Sequence, residues 1–262
     1  MDRTAASLVA ISHDGPVATL QMHDPERRNA LSASMLAGLI DAFDGLPKDT
    51  RAVVLRAGPA DKVWCAGFDI GALAPGRDPL ARDGQLQALF RRVGDCPTPV
   101  IAMLHGSAWG GGTDLALRCD LLIGDPTCSL AFTPAKLGLP YDGEGLLNAL
   151  LRAGPGLAME MFATADPVRA ERALQAGLLN HLVPAAELEP FTMAMAQRIA
   201  ENAPLSVQSA KQQLRALSTA LGLNPAMAQG LHEGRRLALD SADYAEGLAA
   251  FAEKRPPRFR GH

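Results

Sequence analysis

The chain has no excess of basic residues: 25 Lys and Arg stand against 28 Asp and Glu, giving a formal net charge of −3, and they are scattered along it. That leaves no electrostatic footprint for nucleic acid and makes an anionic membrane surface a poor partner. Long apolar runs are missing as well. Stretches such as "PVIAML" at 99–104 fall far short of the roughly 20 residues that a membrane span needs. The N-terminus shows no basic region followed by an apolar block, so no secretory signal is expected. The four cysteines, Cys65, Cys96, Cys119 and Cys128, lack C-x-x-C spacing, which points to reduced thiols and a cytoplasmic setting. The six histidines form neither H-x-H nor H-E-x-x-H, so no metal site is expected.

What remains is a chain of 262 residues, 48% hydrophobic, long enough for one large core. Residues 7–22 are two β-rich runs around Asp14-Gly15, a hairpin signal. Ser32 is an N-cap candidate for a helix at about 33–45. "RAVVLRA" (51–57), "PVIAMLHG" (99–106) and "DLLIG" (120–124) have the composition of buried strands, and "CSLAF" (128–132) of a short one. Helical spacing lies between them, at about 80–93 and up to Arg118. This alternation predicts a layered α/β core. From about residue 143 the pattern turns helical, and the division expected is a core over 1–200 with a helical region over 201–262.

The stretch "HGSAWGGGTDLALRCD" (105–120) sets three glycines between Trp109 and a helical segment. No Lys-Ser or Lys-Thr follows, so it is not a phosphate-cradling P-loop, and the G-x-G-x-x-G spacing of dinucleotide folds is absent. "GSAWG" carries Ala where a nucleophile elbow needs Ser. A strand end, glycines and a helix N-terminus together offer unpaired backbone N–H groups to an anionic oxygen. Tight strand–helix packing explains glycines equally well. A second turn, "WCAGFDI" (64–70), also follows a buried strand and offers another N–H. Two such donors make an oxyanion hole.

"AGFDI", "HGSAWGGGTDLALRCDLLI", "AERALQAGLLNHLVP" and "AEGLAAFAEKRPPRF" fall in the order of the crotonase (enoyl-CoA hydratase/isomerase) superfamily, and "ERRNALS" at 26–32 fits too. The chain resembles that superfamily over nearly its whole length. The resemblance implies a spiral of ββα units with a helical C-terminal region that builds trimers, often paired into hexamers. It implies an acyl-CoA thioester as substrate, with coenzyme A as part of the substrate and no separate cofactor. A thioester enolate would be stabilised by the N–H groups of Phe68 and Gly111. Coenzyme A would be held by Ala66, Gly67, Phe68, Asp69 and Ile70, by Arg28 and Ala30 with Arg27 nearby, and by Phe251 and Lys254. 

Reaction type turns on side chains. Hydratases of the superfamily use two glutamates around a water. Here the first place falls to Asp114, one methylene shorter, and the second to Pro134, which cannot move a proton. "FTPAKLGLPYDGEG" (132–145), with "GRDPL" (76–80) and the C-terminal "EKRPPRFRGH", resembles the methylmalonyl-CoA decarboxylase branch. That places Tyr141 against a substrate carboxylate and Thr133 beside it. Phe68 departs from that branch, where histidine stands, and Glu144 adds a carboxylate that could act as a second acid or base. Two enzyme readings therefore stand: decarboxylation of methylmalonyl-CoA or a related malonyl thioester, and enoyl-CoA hydration or isomerisation through Asp114 and Glu144. A catalytically silent, RNA- or protein-binding relative is the third, disfavoured by the net charge and the intact glycine run.

Overall fold

A computed structural model describes residues 8–72, 84–220 and 225–261. The Asp14-Gly15 turn joins β1 (Val9–Asp14) and β2 (Val17–Met22) as an antiparallel hairpin. Ser32 caps α1 (Ala33–Asp44), its hydroxyl accepting from the Met35 N–H. From there the chain runs three times through the same sequence of elements: a strand in one sheet, a short strand in a second sheet, then a helix. The first unit is β3 (Ala52–Ala57), β4 (Val63–Cys65) and α2 (Gln85–Asp95). The second is β5 (Val100–Leu104), β6 (Ser107–Trp109) and α3 (Gly111–Arg118). The third is β7 (Leu121–Gly124), β8 (Ser129–Ala131) and α4 (Gly143–Thr164), which is kinked where Gly154, at φ +71°, precedes Pro155. This is the spiral of ββα units that the resemblance implied.

Two-residue strands β9 (Val168–Arg169) and β10 (His181–Leu182) flank α5 (Ala170–Gln175), and four helices follow: α6 (Leu188–Glu201), α7 (Pro204–Ala220), α8 (Pro225–Leu239) and α9 (Ala242–Ala252). The larger sheet has the order β1-β2-β3-β5-β7-β10 and the smaller β4-β6-β8-β9. Strand β3 is buried at every position because both faces of its sheet are covered. Leu55, Val100 and Leu122 face the main core with α1 and α2, while Val54, Ile101 and Met103 pack under Leu188, Ala196 and Ala200 of α6. Helix α7 is anchored by Lys211, whose buried ammonium donates to Asp120 Oδ2 at 2.6 Å and to the Thr98 carbonyl at 3.0 Å. Its Leu205, Leu214 and Leu217, and Leu237 of α8, are exposed. The "GRDPL" motif lies outside the described residues. Among the described residues no helix is long and apolar enough to cross a membrane.

Candidate active site

Strands β4 and β6 of the smaller sheet each end in a turn, and the two turns meet. After β4, Leu31 bridges to Phe68 and donates its N–H to the Gly67 carbonyl at 2.7 Å, while Ala66 donates to the Arg28 carbonyl at 3.0 Å. Gly67 sits at φ +87°, and a Cβ there would collide with the Trp109 carbonyl and come within 3.2 Å of the Gly111 nitrogen. The two turns are thus in backbone contact.

The three glycines have three separate causes. Gly110 adopts φ +49°, a region that L side chains rarely enter, while its N–H donates to Ala131 at 2.8 Å. Gly112 faces β4, where a Cβ would stand 2.7 Å from the Cys65 carbonyl. Gly111 lies beside Phe68, where a Cβ would make ordinary contacts, 3.4 Å from the Phe68 nitrogen and 3.5 Å from Leu31 Cδ1. As the first residue of α3, Gly111 has an N–H with no intrahelical acceptor. The Phe68 N–H takes no partner among the described residues.

These two amides border a small inner cavity of about 60 Å³. Its walls are Phe68, Ile70, Leu86, Leu137 and Leu139 with Pro134, and its hydroxyls are those of Thr133 and Tyr141. Ala66, Ile70, Thr133 and Leu137 continue from it into an outer cleft of about 470 Å³ lined by Arg28, Lys136, Phe251 and Arg255. A narrow apolar end opening into a wider, basic mouth suits a long thioester whose charge lies at the far end.

Asp114 is completely buried behind this cavity rather than on its wall. Its Oδ1 accepts from Arg118 Nε at 3.1 Å and Asn148 Nδ2 at 3.2 Å, and its Oδ2 accepts from the Tyr141 hydroxyl at 3.1 Å. Burial, then the neighbouring Asp114 charge, holds the Tyr141 phenol well above its usual range, so it stays protonated near neutral pH. Its ring sits edge-on to Phe132 at 5.1 Å and occupies the space where a side chain at Gly145 would be. Asp142 caps α4 by accepting from Glu144 and Gly145 at 3.0 Å; burial raises its carboxyl above the usual range.

Of the other residues singled out in the sequence, Glu144 stands apart from the cavity, its side chain 55% exposed and 3.9 Å from Arg118. Ala30 and Asp69 flank the turn without lining the inner cavity, and Asp69 is 3.8 Å from Arg27. Lys254 is exposed just past α9, at φ +54°, beside the cleft residues Phe251 and Arg255. Sequence reasoning missed Leu86, Leu137 and Leu139, which read as ordinary core, and also Arg118 and Asn148. For Arg118 a signal existed, since a base four residues after an acid on a helix shares its face. Burial raises all four thiols, Cys65 and Cys128 to about 12, so none is a ready nucleophile.

Residues 12–262 match the enoyl-CoA hydratase/isomerase family. The chain belongs to that family. It is 40% identical over 248 residues to methylmalonyl-CoA decarboxylase of Escherichia coli K12, covering 94% of this chain and 95% of that protein. It is 34% identical to a carnitinyl-CoA dehydratase of Proteus mirabilis, over 91% of this chain and 93% of the other. A solved structure of methylmalonyl-CoA decarboxylase in complex with 2-nitronate-propionyl-CoA superposes with a TM-score of 0.94 at 39% identity, covering 97% of this chain and 99% of that one. Family membership supports an acyl-CoA substrate but spans several reactions, so the choice among them rests on the cavity.

Proposed function

We propose that the protein decarboxylates a malonyl-type CoA thioester, methylmalonyl-CoA or a near relative. The observation that supports this is the wall of the inner cavity: among the described residues it is lined by Phe68, Gly111, Thr133 and Tyr141 and by no carboxylate-bearing residue. Hydration needs a carboxylate beside the acyl carbons to move the proton of water. Pro134 stands on the wall, Asp114 is tied to three donors behind it, and Glu144 points elsewhere. The hydratase or isomerase alternative therefore finds no base on this wall among the described residues.

In the proposed reaction the thioester oxygen rests on the N–H groups of Phe68 and Gly111. The substrate carboxylate is held out of the thioester plane near Tyr141 and Thr133. Its apolar surroundings disfavour the charged carboxylate relative to neutral CO2. As the bond to the carboxyl carbon breaks, its electrons flow into the enolate, whose oxyanion the two amides stabilise; one such donor is worth about 10²–10³ in kcat. CO2 leaves, and the α-carbon takes a proton from solvent. The coenzyme A portion would lie along Ala66, Gly67, Asp69 and Ile70, with Arg28, Ala30, Phe251 and Lys254 about the outer cleft. The exposed leucines of α7 and α8 support assembly as a trimer or a hexamer of paired trimers. A cytoplasmic enzyme fits the buried, unpaired cysteines.

The test is a side-by-side assay of the purified protein with methylmalonyl-CoA, ethylmalonyl-CoA and crotonyl-CoA. CO2 release from a malonyl thioester with slow crotonyl-CoA hydration is expected. Brisk hydration without CO2 from any malonyl thioester would return Asp114 and Glu144 to the centre and reduce Tyr141 to packing.

A further inference from the structure

Arg118 has no part in the chemistry above, yet its side chain is only 12% exposed at the end of α3. Its guanidinium lies over the Phe90 ring, 5.1 Å from the centroid, and binds the buried oxygen Oδ1 of Asp114 that Asn148 also holds. The opposite oxygen, Oδ2, packs against Gly145 and accepts from the Tyr141 hydroxyl. The other charged groups about this cluster are Asp142 at the start of α4, Glu144 at 3.9 Å from Arg118, and Arg235, which donates to the Pro140 carbonyl at 2.6 Å.

The phenol has one proton and two claimants. Bonded to Asp114, the hydroxyl turns its lone pairs toward the cavity, where they repel a substrate carboxylate. Turned toward the substrate, it leaves Asp114 Oδ2 bare in a buried place. Which arrangement prevails depends on how far the Asp114 charge is already answered by other groups. Arg118 supplies the matching charge and, with Asn148, the hydrogen bonds to the far oxygen. We infer that Arg118 is a positioning residue for decarboxylation: its pairing with Asp114 sets how readily the Tyr141 hydroxyl turns from Asp114 to the substrate carboxylate. This rests on the decarboxylation reading, and it makes the acid one turn before Arg118 a partner of tyrosine rather than a base.

The full-length Arg118→Met enzyme tests it, alongside Arg118→Lys and the charge-neutral double variant Arg118→Met/Asp114→Asn. In the single Met variant an unanswered Asp114 carboxylate retains the phenol proton. kcat for methylmalonyl-CoA should fall roughly 10-fold, about one hydrogen bond's share of the barrier, with KM changed less. The double variant, which removes the buried charge together with its partner, should recover much of the rate. Lysine, which keeps the charge, should lie between. Binding gives a readout independent of turnover: the Kd ratio of the unreactive thioethers 2-carboxypropyl-CoA and propyl-CoA should shift roughly 10-fold against the carboxylate in Arg118→Met and return in the double variant. A folded Arg118→Met enzyme with the parental ratio and an unaltered kcat overturns the positioning role. A parent that releases no CO2 sinks the decarboxylation reading instead, while the thioether ratio still reports on the coupling.

Discussion

Replacing Gly111 with alanine separates catalysis from folding, because its neighbours leave room for a methyl group but not for a methyl group and a substrate oxygen together. The added Cβ would meet Phe68 N at 3.4 Å, Leu31 Cδ1 at 3.5 Å and Leu86 Cδ2 at 3.8 Å, all ordinary contacts, and the residue is already helical. Alanine gains up to about 1 kcal/mol over glycine inside a helix, and less at its first residue, so Tm should hold or rise slightly. The same methyl group fills the space before the two amides. Displacing the thioester oxygen from one donor should lower kcat by about 10²–10³. Gly112→Ala is the counterpart, since its Cβ would press within 2.7–2.8 Å of the Cys65 carbonyl, Cβ and sulfur. It should cost about 1–3 kcal/mol of stability through overpacking. CO2 release at saturating substrate and thermal unfolding, measured on both, give opposite patterns. A folded Gly111→Ala enzyme turning over near the parental rate would remove the oxyanion hole from the mechanism.

Tyr141→Phe should lower CO2 release by roughly 10–100-fold, the range for a lost hydrogen bond to a charged group, with the fold intact by circular dichroism; an unchanged rate would refute the contact. Lys254→Ala should raise KM for the CoA thioester and leave kcat nearly unchanged, since the residue stands outside the inner cavity; loss of turnover at saturation would contradict this. Asp142→Asn keeps an oxygen to cap α4 while removing a carboxyl that burial raises above its usual range. A raised folded-state value adds stability below the unfolded value and loses it as pH climbs through the folded one. The parent should therefore weaken relative to Asp142→Asn between acid and neutral pH in denaturant titrations, and a constant difference would refute the assignment.

The larger sheet was legible because each of its long strands carries a full apolar run or alternation: the hairpin at Asp14-Gly15, β3 and β5 all fall where composition put them. The smaller sheet was not. Strands β4, β6 and β8 are three residues each, too short for any period to stand out; only β8 was expected, within "CSLAF", while β4 and β6 went unrecognised as strands. The glycine run was recognised as a site, but the sequence could not say that Gly110 and Gly111 border the cavity, Gly110 also answering a backbone angle, while Gly112 answers a packing contact. Asp114 was visible as an acid at a helix start. That its charge is shared beyond Arg118 with Asn148 and Tyr141 depends on α4 and the loop before it returning across α3, a long-range contact with no local trace.

The last helix meets the reaction site backbone to backbone at two points. A Cβ on Gly138 would stand 2.6 Å from the Asp243 carbonyl, and one on Gly247 would run into the Leu137 carbonyl. No rotamer change can relieve a clash between two backbones, so neither position tolerates a side chain unless the helix shifts, and the Pro134–Leu137 turn that walls the cavity shifts with it. The width of the acyl chamber is in that sense set from the far end of the polypeptide. Tags, truncations or neighbouring subunits that pull on α9 would change substrate choice without touching a single residue of the pocket.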